Sequence, residues 1–161
     1  METFTFFYQS ASPFSQWHSS FFQIDNITYN CAEQYMMHQK AIVFGDMEIA
    51  DKVLKARTPR EQKALGRKVR NFDGAVWEVE GRKAVYRASH AKFTQNKTLL
   101  DVLMATDGTT LVEASPTDKI WGIGLDANDA RAYSRETWCG TNWLGEVLTQ
   151  LREDLKAQSL A

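Results

Sequence analysis

A carboxylate and an amine lie seven residues apart between Asn30 and Phe44, in the segment Asn-Cys-Ala-Glu-Gln-Tyr-Met-Met-His-Gln-Lys-Ala-Ile-Val-Phe. Side chains on a helix advance by about 100° per residue, so Glu33 and Lys40 share one face of the predicted helix. Asn30 is a suitable N-cap, which would place Glu33 at the third helical position. A further carboxylate, Asp118, lies beside two glycines in a later irregular segment. These three side chains are the candidates for chemistry.

Each candidate also has an ordinary structural interpretation. A glutamate three residues after an asparagine cap resembles a capping box, and the local sequence favours this role over catalysis. A lysine near the end of a helix usually offsets the helix dipole. Asp118 could equally well make an Asx turn. The residues alone leave these alternatives open.

Cleavage of a C–N glycosidic bond needs this set of groups. One carboxylate stabilises an oxocarbenium-like centre or activates water, and a second group assists the leaving base. An amine can instead attack the anomeric carbon and form a Schiff base. Aromatic side chains can hold the base, and cations can hold a phosphate. The sequence therefore permits glycosidic chemistry on a nucleotide-like substrate.

Other chemistries have little support. Three histidines show no HExxH or other metal-ligand spacing, so we predict no metal site and no cofactor. A GxSxG motif is absent from the sequence, and neither Cys31 nor Cys139 has an obvious partner base, which argues against acyl transfer. The chain also lacks an apolar run of membrane-spanning length and a signal-peptide pattern, so we predict a soluble cytoplasmic protein that does not bind membranes.

The charge is unevenly distributed along the 161 residues, although the net charge is only −1. One segment carries eight basic residues against the single acidic Glu61: Lys52, Lys55, Arg57, Arg60, Lys63, Arg67, Lys68 and Arg70. Such an excess is typical either of a solvated basic face or of a site for phosphate or nucleic acid. On a helix beginning at Pro59, four of these residues would form one basic stripe: Arg60, Lys63, Arg67 and Arg70.

The length and pattern predict one domain of residues 1–161 without repeats or linkers. Strands are expected over residues 4–8, 22–24, 27–29 and 109–113, with a tight turn at Asp25-Asn26. Helices are expected after the caps Asn30, Asp46, Thr58 and Asp73, then over residues 99–105 and 142–156. The helix of residues 75–95 is predicted to bury a face of mostly small residues: Val76, Val79 or Glu80, Ala84, Ala88 and Ala91.

Several aromatic residues and glycines could line a binding site. Phe14, Trp17, Phe21 and Phe22 crowd a polar loop, either as core, which we favour, or as a stacking platform. Trp77 is offset from the small-residue face of its helix and could be core or could cover a cleft. The segment Trp121-Gly122-Ile123-Gly124 would let the backbone approach a ligand closely, although it matches no known phosphate-binding motif.

The sequence resembles the NADAR family, also called YbiA-like, and the match runs in order over nearly the whole chain. The matching motifs are Ser12 to His18, Asp25 to Tyr29, Cys31 to Lys40, Leu65-Gly66-Arg67, Ala91-Lys92-Phe93, Leu111 to Pro116, Asp118 to Gly124 and Trp138 to Gly145. This resemblance implies an α+β fold, mainly helical with a small sheet. It also implies hydrolysis of N-glycosidic bonds to ribose.

Family members act in two ways, on ribosylamino-pyrimidine phosphates of early riboflavin synthesis or on ADP-ribose attached to guanine in DNA. The resemblance implies that Glu33 is the acidic catalytic residue, that Trp77 and Asp118 match further active-site positions, and that Lys40 matches the family's lysine two turns after the glutamate. Asn26 replaces a turn glycine of the family. Gln34 and His90 replace residues expected near the cleft, where they could alter substrate choice.

We therefore predict an N-glycosidase that removes ADP-ribose from guanine in DNA, with a DNA-modifying ADP-ribosyltransferase toxin as its functional partner. The alternatives are an enzyme acting on free ribosylamino-pyrimidine phosphates and a non-catalytic ADP-ribose or nucleotide reader. Glu33, Lys40 and Asp118 are the predicted catalytic residues. The predicted substrate-binding residues are Trp17, Gln34, Arg67, Trp77, Trp121, Gly122, Gly124 and Asn142.

Overall fold

The computed structural model describes residues 1–160 and has an α+β fold, as the sequence predicted. The strands are β1 (Phe4–Phe7), β2 (Phe22–Ile24), β3 (Ile27–Tyr29) and β4 (Thr110–Glu113). The α-helices are α1 (Ala32–Val43), α2 (Met47–Lys55), α3 (Pro59–Gly66), α4 (Gly74–Thr94), α5 (Lys97–Met104) and α6 (Trp143–Ser159). Two 3-10 turns cover Ala130–Tyr133 and Arg135–Thr137.

The chain forms two compact units, which are described separately. One comprises Gln16–Lys97, and the other comprises Met1–Ser15 together with the residues from Thr98 onwards. The prediction of a single domain stays a prediction. Among residues 1–160, every helix is too short or too polar to cross a membrane.

The Gln16–Lys97 unit begins with the predicted hairpin of β2 and β3. Ile24 pairs with Ile27 in an antiparallel register, and the two turn residues between them have positive φ angles, 52° at Asp25 and 66° at Asn26. A two-residue hairpin of type I′ needs positive φ at both positions, which asparagine and aspartate tolerate. Asn26 therefore suits the turn in place of glycine.

Helix α1 begins one residue later than predicted. Its N-cap is Cys31, which makes no side-chain cap, so the assignment of the cap to Asn30 was wrong. The Asn30 side chain instead donates to the carbonyl of Arg57 at 2.9 Å. Glu33 is consequently the second residue of α1.

The caps of the next helices agree with the sequence. Asp46 accepts from the backbone N–H of Ile49 at the start of α2, and Thr58 accepts from that of Glu61 at the start of α3. Helix α3, however, ends at Gly66, so the predicted basic stripe does not exist on one helix. A side chain at Gly66 would have its Cβ 2.0 Å from the Met37 sulfur, which shows how closely α3 approaches α1.

Helix α4 forms the long wall against which α1 and the hairpin pack. Its buried face contains Ala84, Ala88 and Ala91, as predicted, and these contact an aromatic group of Phe22, Tyr29 and Tyr35. Small side chains let α4 approach large rings without voids. Val76 and Val79, also expected inside, are exposed, whereas Trp77 of the same turns of α4 packs against this core.

The second unit is built on a parallel pair of strands, β1 and β4, in which Phe4 pairs with Thr110. Helix α6 packs on β4. The contact is close, since a Cβ at Gly145 would lie 2.1 Å from the Leu111 carbonyl oxygen. A small core of four buried residues lies beside the strands: Val112, Ile123, Leu125 and Ala132.

Candidate functional site

Glu33 is a buried carboxylate in the first turn of α1. Its residue is only 6% exposed, and its backbone N–H donates to the carbonyl of Gln16 at 3.0 Å. Burying a carboxylate costs free energy, so buried carboxylates are rare unless they are paired or have a function. A capping box would have Glu33 accept from the Asn30 backbone N–H. Gln34 makes this contact instead, through its Oε1 at 2.8 Å.

Lys40 lies in the last turn of α1, half-buried. Burial lowers the pKa of its ammonium, the Glu33 carboxylate partly offsets this, and the Arg67 guanidinium adds to the lowering. Glu33 and Arg67 are therefore both close enough to act on Lys40. A lysine with a lowered pKa has a larger neutral fraction, which is the form that attacks carbon.

Lys40 lies over one ring of a group of three aromatic residues, which we call the Phe72 cluster: Phe44, Phe72 and Trp77. The Lys40 Nζ lies 4.7 Å from the centre of the Phe72 ring. Phe72 meets Phe44 edge-on at 5.4 Å, and Phe44 meets Trp77 at 6.4 Å between ring centres. The predicted substrate-binding residue Trp77 is thus linked to Lys40 through the rings of Phe44 and Phe72.

Sequence reasoning missed Phe44 and Phe72. Phe44 directly follows α1, and Phe72 lies in the loop between α3 and α4, where helical periodicity gives no information. An aromatic residue exposed in a loop carries no local signal for its contact with a lysine 32 positions earlier.

Two other predicted substrate-binding residues of this unit are Trp17, which lies near a lysine, and Arg67. Trp17 is partly buried, and the Lys63 Nζ lies 5.9 Å from the centre of its ring. Arg67 is the exposed C-cap of α3 and acts electrostatically on Lys40. An aromatic face with nearby positive charge suits a base and a phosphate.

Gln34 is used by the fold. Its Nε2 donates to the carbonyls of Val53, Leu54 and Ala56 at 3.1 to 3.3 Å, where α2 ends. The side chain is buried and ties α1 to that helix end. This geometry favours a structural role over the predicted contact with substrate.

His90 lies on α4. It stacks on Tyr86 at 6.5 Å and lines a groove of about 350 Å³ whose walls contain neither Glu33 nor Lys40. Its expected position near the cleft, where it could alter substrate choice, stays a prediction.

Lys92 is a buried cation that the sequence did not single out as functional. It is 1% exposed, and burial lowers its pKa to about 7. Cys31 is also buried, which raises the pKa of its thiol to about 11, and both Glu33 and Lys92 act on that thiol. Lys92 and Glu33 are therefore two buried charges near the start of α1.

In the other unit, Asp118 makes the Asx turn that competed with a catalytic role. Its Oδ1 accepts from the backbone N–H groups of Ile120 at 2.9 Å and Trp121 at 2.8 Å, and the residue is half-buried. The turn uses one carboxylate oxygen. A catalytic role for Asp118 stays a prediction.

The glycines of the same loop allow close packing of the protein's own backbone. A Cβ at Gly122 would lie 2.8 Å from the Glu113 carbonyl oxygen, and Gly124 has a φ angle of 70°. Trp121 packs edge-on against Trp143 at 5.6 Å. These contacts explain the glycines without a ligand, and substrate binding by Trp121, Gly122 and Gly124 stays a prediction.

Asn142 is fully buried, and its side-chain amide makes hydrogen bonds to the backbone of β4, as a neighbouring strand would. Its Oδ1 accepts from the Glu113 backbone N–H at 2.9 Å, and its Nδ2 donates to the Leu111 carbonyl at 3.0 Å. Both functions of the side-chain amide are thus used by backbone groups. The geometry favours a structural role over the predicted binding of substrate.

Known proteins resemble this chain in sequence and in fold. Residues 5–156 match the NADAR domain. An N-glycosidase of Acanthamoeba polyphaga mimivirus is 44% identical over 126 residues, covering 78% of this chain and 74% of that protein. The chloroplastic riboflavin biosynthesis protein PYRR of Zea mays is 30% identical over 138 residues, covering 81% of this chain and 20% of that protein. The NMR structure of Escherichia coli YbiA matches with a TM-score of 0.81 and 27% identity, over 99% of this chain and 89% of that one.

Proposed function

The chain belongs to the NADAR family, and from this premise we propose that it removes ADP-ribose from guanine bases in DNA. It is an N-glycosidase, a hydrolase of N-glycosyl bonds, like its relatives from mimivirus, Nostoc punctiforme and Shigella. The observation that carries the proposal is the half-buried Lys40 with a lowered pKa, under the influence of buried Glu33 and bordered by the Phe72 cluster.

In the proposed reaction, the neutral Lys40 amine attacks C1 of the ribose. The bond from C1 to the guanine nitrogen breaks, its electron pair goes to that nitrogen, and the base leaves after taking up a proton. Opening of the sugar ring gives a Schiff base on Lys40, which water hydrolyses to release ADP-ribose and the free amine. Glu33 transfers the protons in these steps or stabilises the cationic centre.

A second route uses the same residues without a covalent bond. Water attacks C1 directly, activated by Glu33, and the Lys40 ammonium pairs with the developing negative charge on the leaving group. Borohydride reduces a Schiff base to a stable amine, so an adduct trapped on Lys40 during turnover distinguishes the covalent route from this one.

Charge and aromatic surface support a substrate with a base and a diphosphate. The Lys63 Nζ lies 5.9 Å from the centre of the Trp17 ring, and the Arg67 guanidinium contributes to lowering the pKa of Lys40. Guanidinium groups bind phosphate oxygens with two parallel hydrogen bonds, and aromatic rings stack on bases. We assign the diphosphate to Arg67 and Lys63 and the base to Trp17 and Trp77.

The experiment compares two substrates. The protein is incubated with an oligonucleotide carrying ADP-ribosylated guanine and, separately, with a ribosylamino-pyrimidine phosphate, and released sugar or base is measured by chromatography. We expect release of ADP-ribose from the oligonucleotide alone. Release only from the pyrimidine phosphate would establish the alternative that the name of the maize relative favours.

The Glu33→Gln variant tests the chemistry. Loss of an acid or base typically reduces kcat by about 10²- to 10⁴-fold, and we expect a loss in that range. A Glu33→Gln variant as active as the wild type would reject the mechanism. Binding of ADP-ribose without release from either substrate would identify the protein as a nucleotide reader, which buried Glu33 beside a polyanion disfavours.

The partner in this proposal is a toxin that attaches ADP-ribose to guanine in DNA. Co-expression of the chain with such an ADP-ribosyltransferase should restore growth of the host, and the Glu33→Gln variant should not. Equal protection by both proteins would indicate that the chain sequesters the modified base instead of cleaving it.

A further inference from the structure

We infer that Phe72 is a positioning residue that holds the Lys40 side chain in place for the proposed reaction, and this inference rests on the proposed function. The Lys40 Nζ lies 4.7 Å from the centre of the Phe72 ring. A cation within about 6 Å of a ring centre is attracted by the negative face of the ring. Phe72 is therefore in contact with the ammonium group that must lose a proton to become the proposed nucleophile.

Hydrophobic burial does not explain where Phe72 lies. The residue is 51% exposed, so half of its surface remains in water. Its ring instead contacts Phe44 edge-on at 5.4 Å, and the Phe44 ring lies 6.4 Å from that of Trp77. The Phe72 ring thus contacts both an aromatic neighbour and the Lys40 Nζ.

The backbone around Phe72 is fixed on both sides. Two residues earlier, Arg70 makes three hydrogen bonds to the carboxylate of Asp46. Asn71 has a φ angle of 62°, which turns the chain sharply, and Asp73 caps α4 directly afterwards. A ring held by this loop can restrain a flexible side chain that packs on it.

Lysine has four rotatable side-chain bonds, and its rotamer entropy opposes any single position. Contact with Phe72 reduces the number of positions available to Nζ before the substrate arrives. Positioning of reacting groups contributes directly to the rate of the chemical step. Loss of the ring face should therefore reduce kcat more than it alters KM.

The test uses Phe72→Leu, which keeps an apolar side chain but removes the ring, and Phe72→Tyr, which restores a ring face. We expect kcat of Phe72→Leu on ADP-ribosylated oligonucleotide to fall about fivefold, in line with the strength of an exposed cation–π contact. KM should change less than twofold, and Phe72→Tyr should recover most of the loss. The control is Met47→Leu, which changes an apolar residue of the same unit that is 55% exposed and should leave kcat unchanged.

A spectroscopic readout makes the inference independent of turnover. The ring current of Phe72 should shift the NMR signals of the Lys40 ε-methylene protons upfield, with the assignment made from Lys40→Arg. The shift should vanish in Phe72→Leu and persist in Phe72→Tyr. Absence of the shift in the wild type overturns the inference even if the enzyme is active.

Failure of the proposed function and failure of the inference about Phe72 give different results. Wild-type protein that releases nothing from either substrate contradicts the proposed function, whereas the Lys40 shift still tests the contact. Active wild type with an equally active Phe72→Leu contradicts only the inference. A change in KM alone, or a Phe72→Tyr variant as slow as Phe72→Leu, also overturns it, because either result makes Phe72 a substrate contact or a packing residue.

Discussion

Asp46 and Arg70 form an ion pair that joins the start of α2 to the loop before α4. The Arg70 guanidinium donates through Nη2 to Oδ1 at 2.9 Å and through Nε to Oδ2 at 3.2 Å, and its backbone N–H donates to Oδ2 at 2.9 Å. The same carboxylate caps α2 through the backbone N–H of Ile49. Arg70 is thus used by the fold, and Phe72 follows it two residues later.

We expect Asp46→Asn to destabilise the protein in a pH-dependent manner. Hydrogen bonds from Arg70 hold the pKa of the Asp46 carboxyl well below its usual range. Because the folded-state pKa is depressed, the stabilisation is present above the ordinary value of about 4 and is lost as the pH falls below it. Thermal melting should show a lower Tm for Asp46→Asn at pH 7, by about 2 to 4 °C, and a smaller difference in acid.

Glu48→Gln is the control for this prediction. The Glu48 carboxylate is exposed and 3.7 Å from the Arg70 guanidinium, so its removal should change Tm little. A Tm difference between wild type and Asp46→Asn that stays constant from pH 7 to pH 3 would contradict the assigned role of the charge.

Locally encoded features were predictable from the sequence. The hairpin was correct because Asp25 and Asn26 both tolerate the positive φ that its turn requires. The starts of α2, α3 and α4 were correct because Asp46, Thr58 and Asp73 bind backbone N–H groups within the next three residues. In each case the cause and the effect are neighbours in the chain.

Features that depend on distant contacts were not predictable. Arg70 was expected on a basic stripe, but α3 ends at Gly66 and Arg70 pairs with Asp46 instead. The ring of Phe72 contacts Lys40 from the loop that contains Arg70. The placement of Glu33 and Lys40 on one helix was predictable because seven residues in a helix give a fixed geometry, whereas Phe72 and Trp77 come from other segments.

Lys40→Arg should abolish the covalent route while keeping the positive charge. Arginine does not lose its proton under these conditions, so it cannot attack C1. We expect no borohydride-trapped adduct and a fall in kcat of about a hundredfold or more. A variant that keeps wild-type kcat would reject Lys40 as nucleophile, and one that loses the adduct but little activity would favour direct attack by water.

The pH dependence of the wild type gives a second test of Lys40. Burial lowers the pKa of its ammonium below the usual value of about 10.4, and the neutral amine is present above that lowered pKa. Under the covalent route, kcat/KM should therefore rise with pH and level off below pH 10.4. A rate that falls steadily above pH 7 would require the ammonium form, as the noncovalent route does.

Asn142→Ala should reduce stability without affecting substrate binding. The substitution leaves the Glu113 N–H and the Leu111 carbonyl without their amide partner and puts alanine at a φ angle of 54°. Two lost buried hydrogen bonds and a left-handed alanine should lower Tm by about 10 °C. Asn142→Gly loses the same hydrogen bonds but tolerates the positive φ angle. Its Tm should therefore lie between those of the wild type and Asn142→Ala. An unchanged Tm with a raised KM would instead restore the predicted contact with substrate.

Lys92 should titrate near neutral pH. Burial lowers the pKa of its ammonium to about 7, while an unfolded lysine holds its proton up to about pH 10.4. Between these values the unfolded chain binds more protons than the folded one, so the contribution of Lys92 makes stability rise with pH across this window. Since Lys92 and Glu33 both act on the Cys31 thiol, the charge at Lys92 also changes the electrostatic field at the start of α1.

NMR of protein labelled with ¹³C at the lysine ε-carbons measures this titration. One resonance should shift with a midpoint near pH 7 and should be absent from Lys92→Met. The Lys83→Met control removes an exposed lysine of the same helix and should leave that resonance in place. Melting of Lys92→Met should also show a weaker rise in Tm between pH 7 and pH 10. A Lys92 resonance that titrates only above pH 9 would show that burial at this position does not favour the neutral amine, and Lys40 would then be the more easily deprotonated lysine beside Glu33.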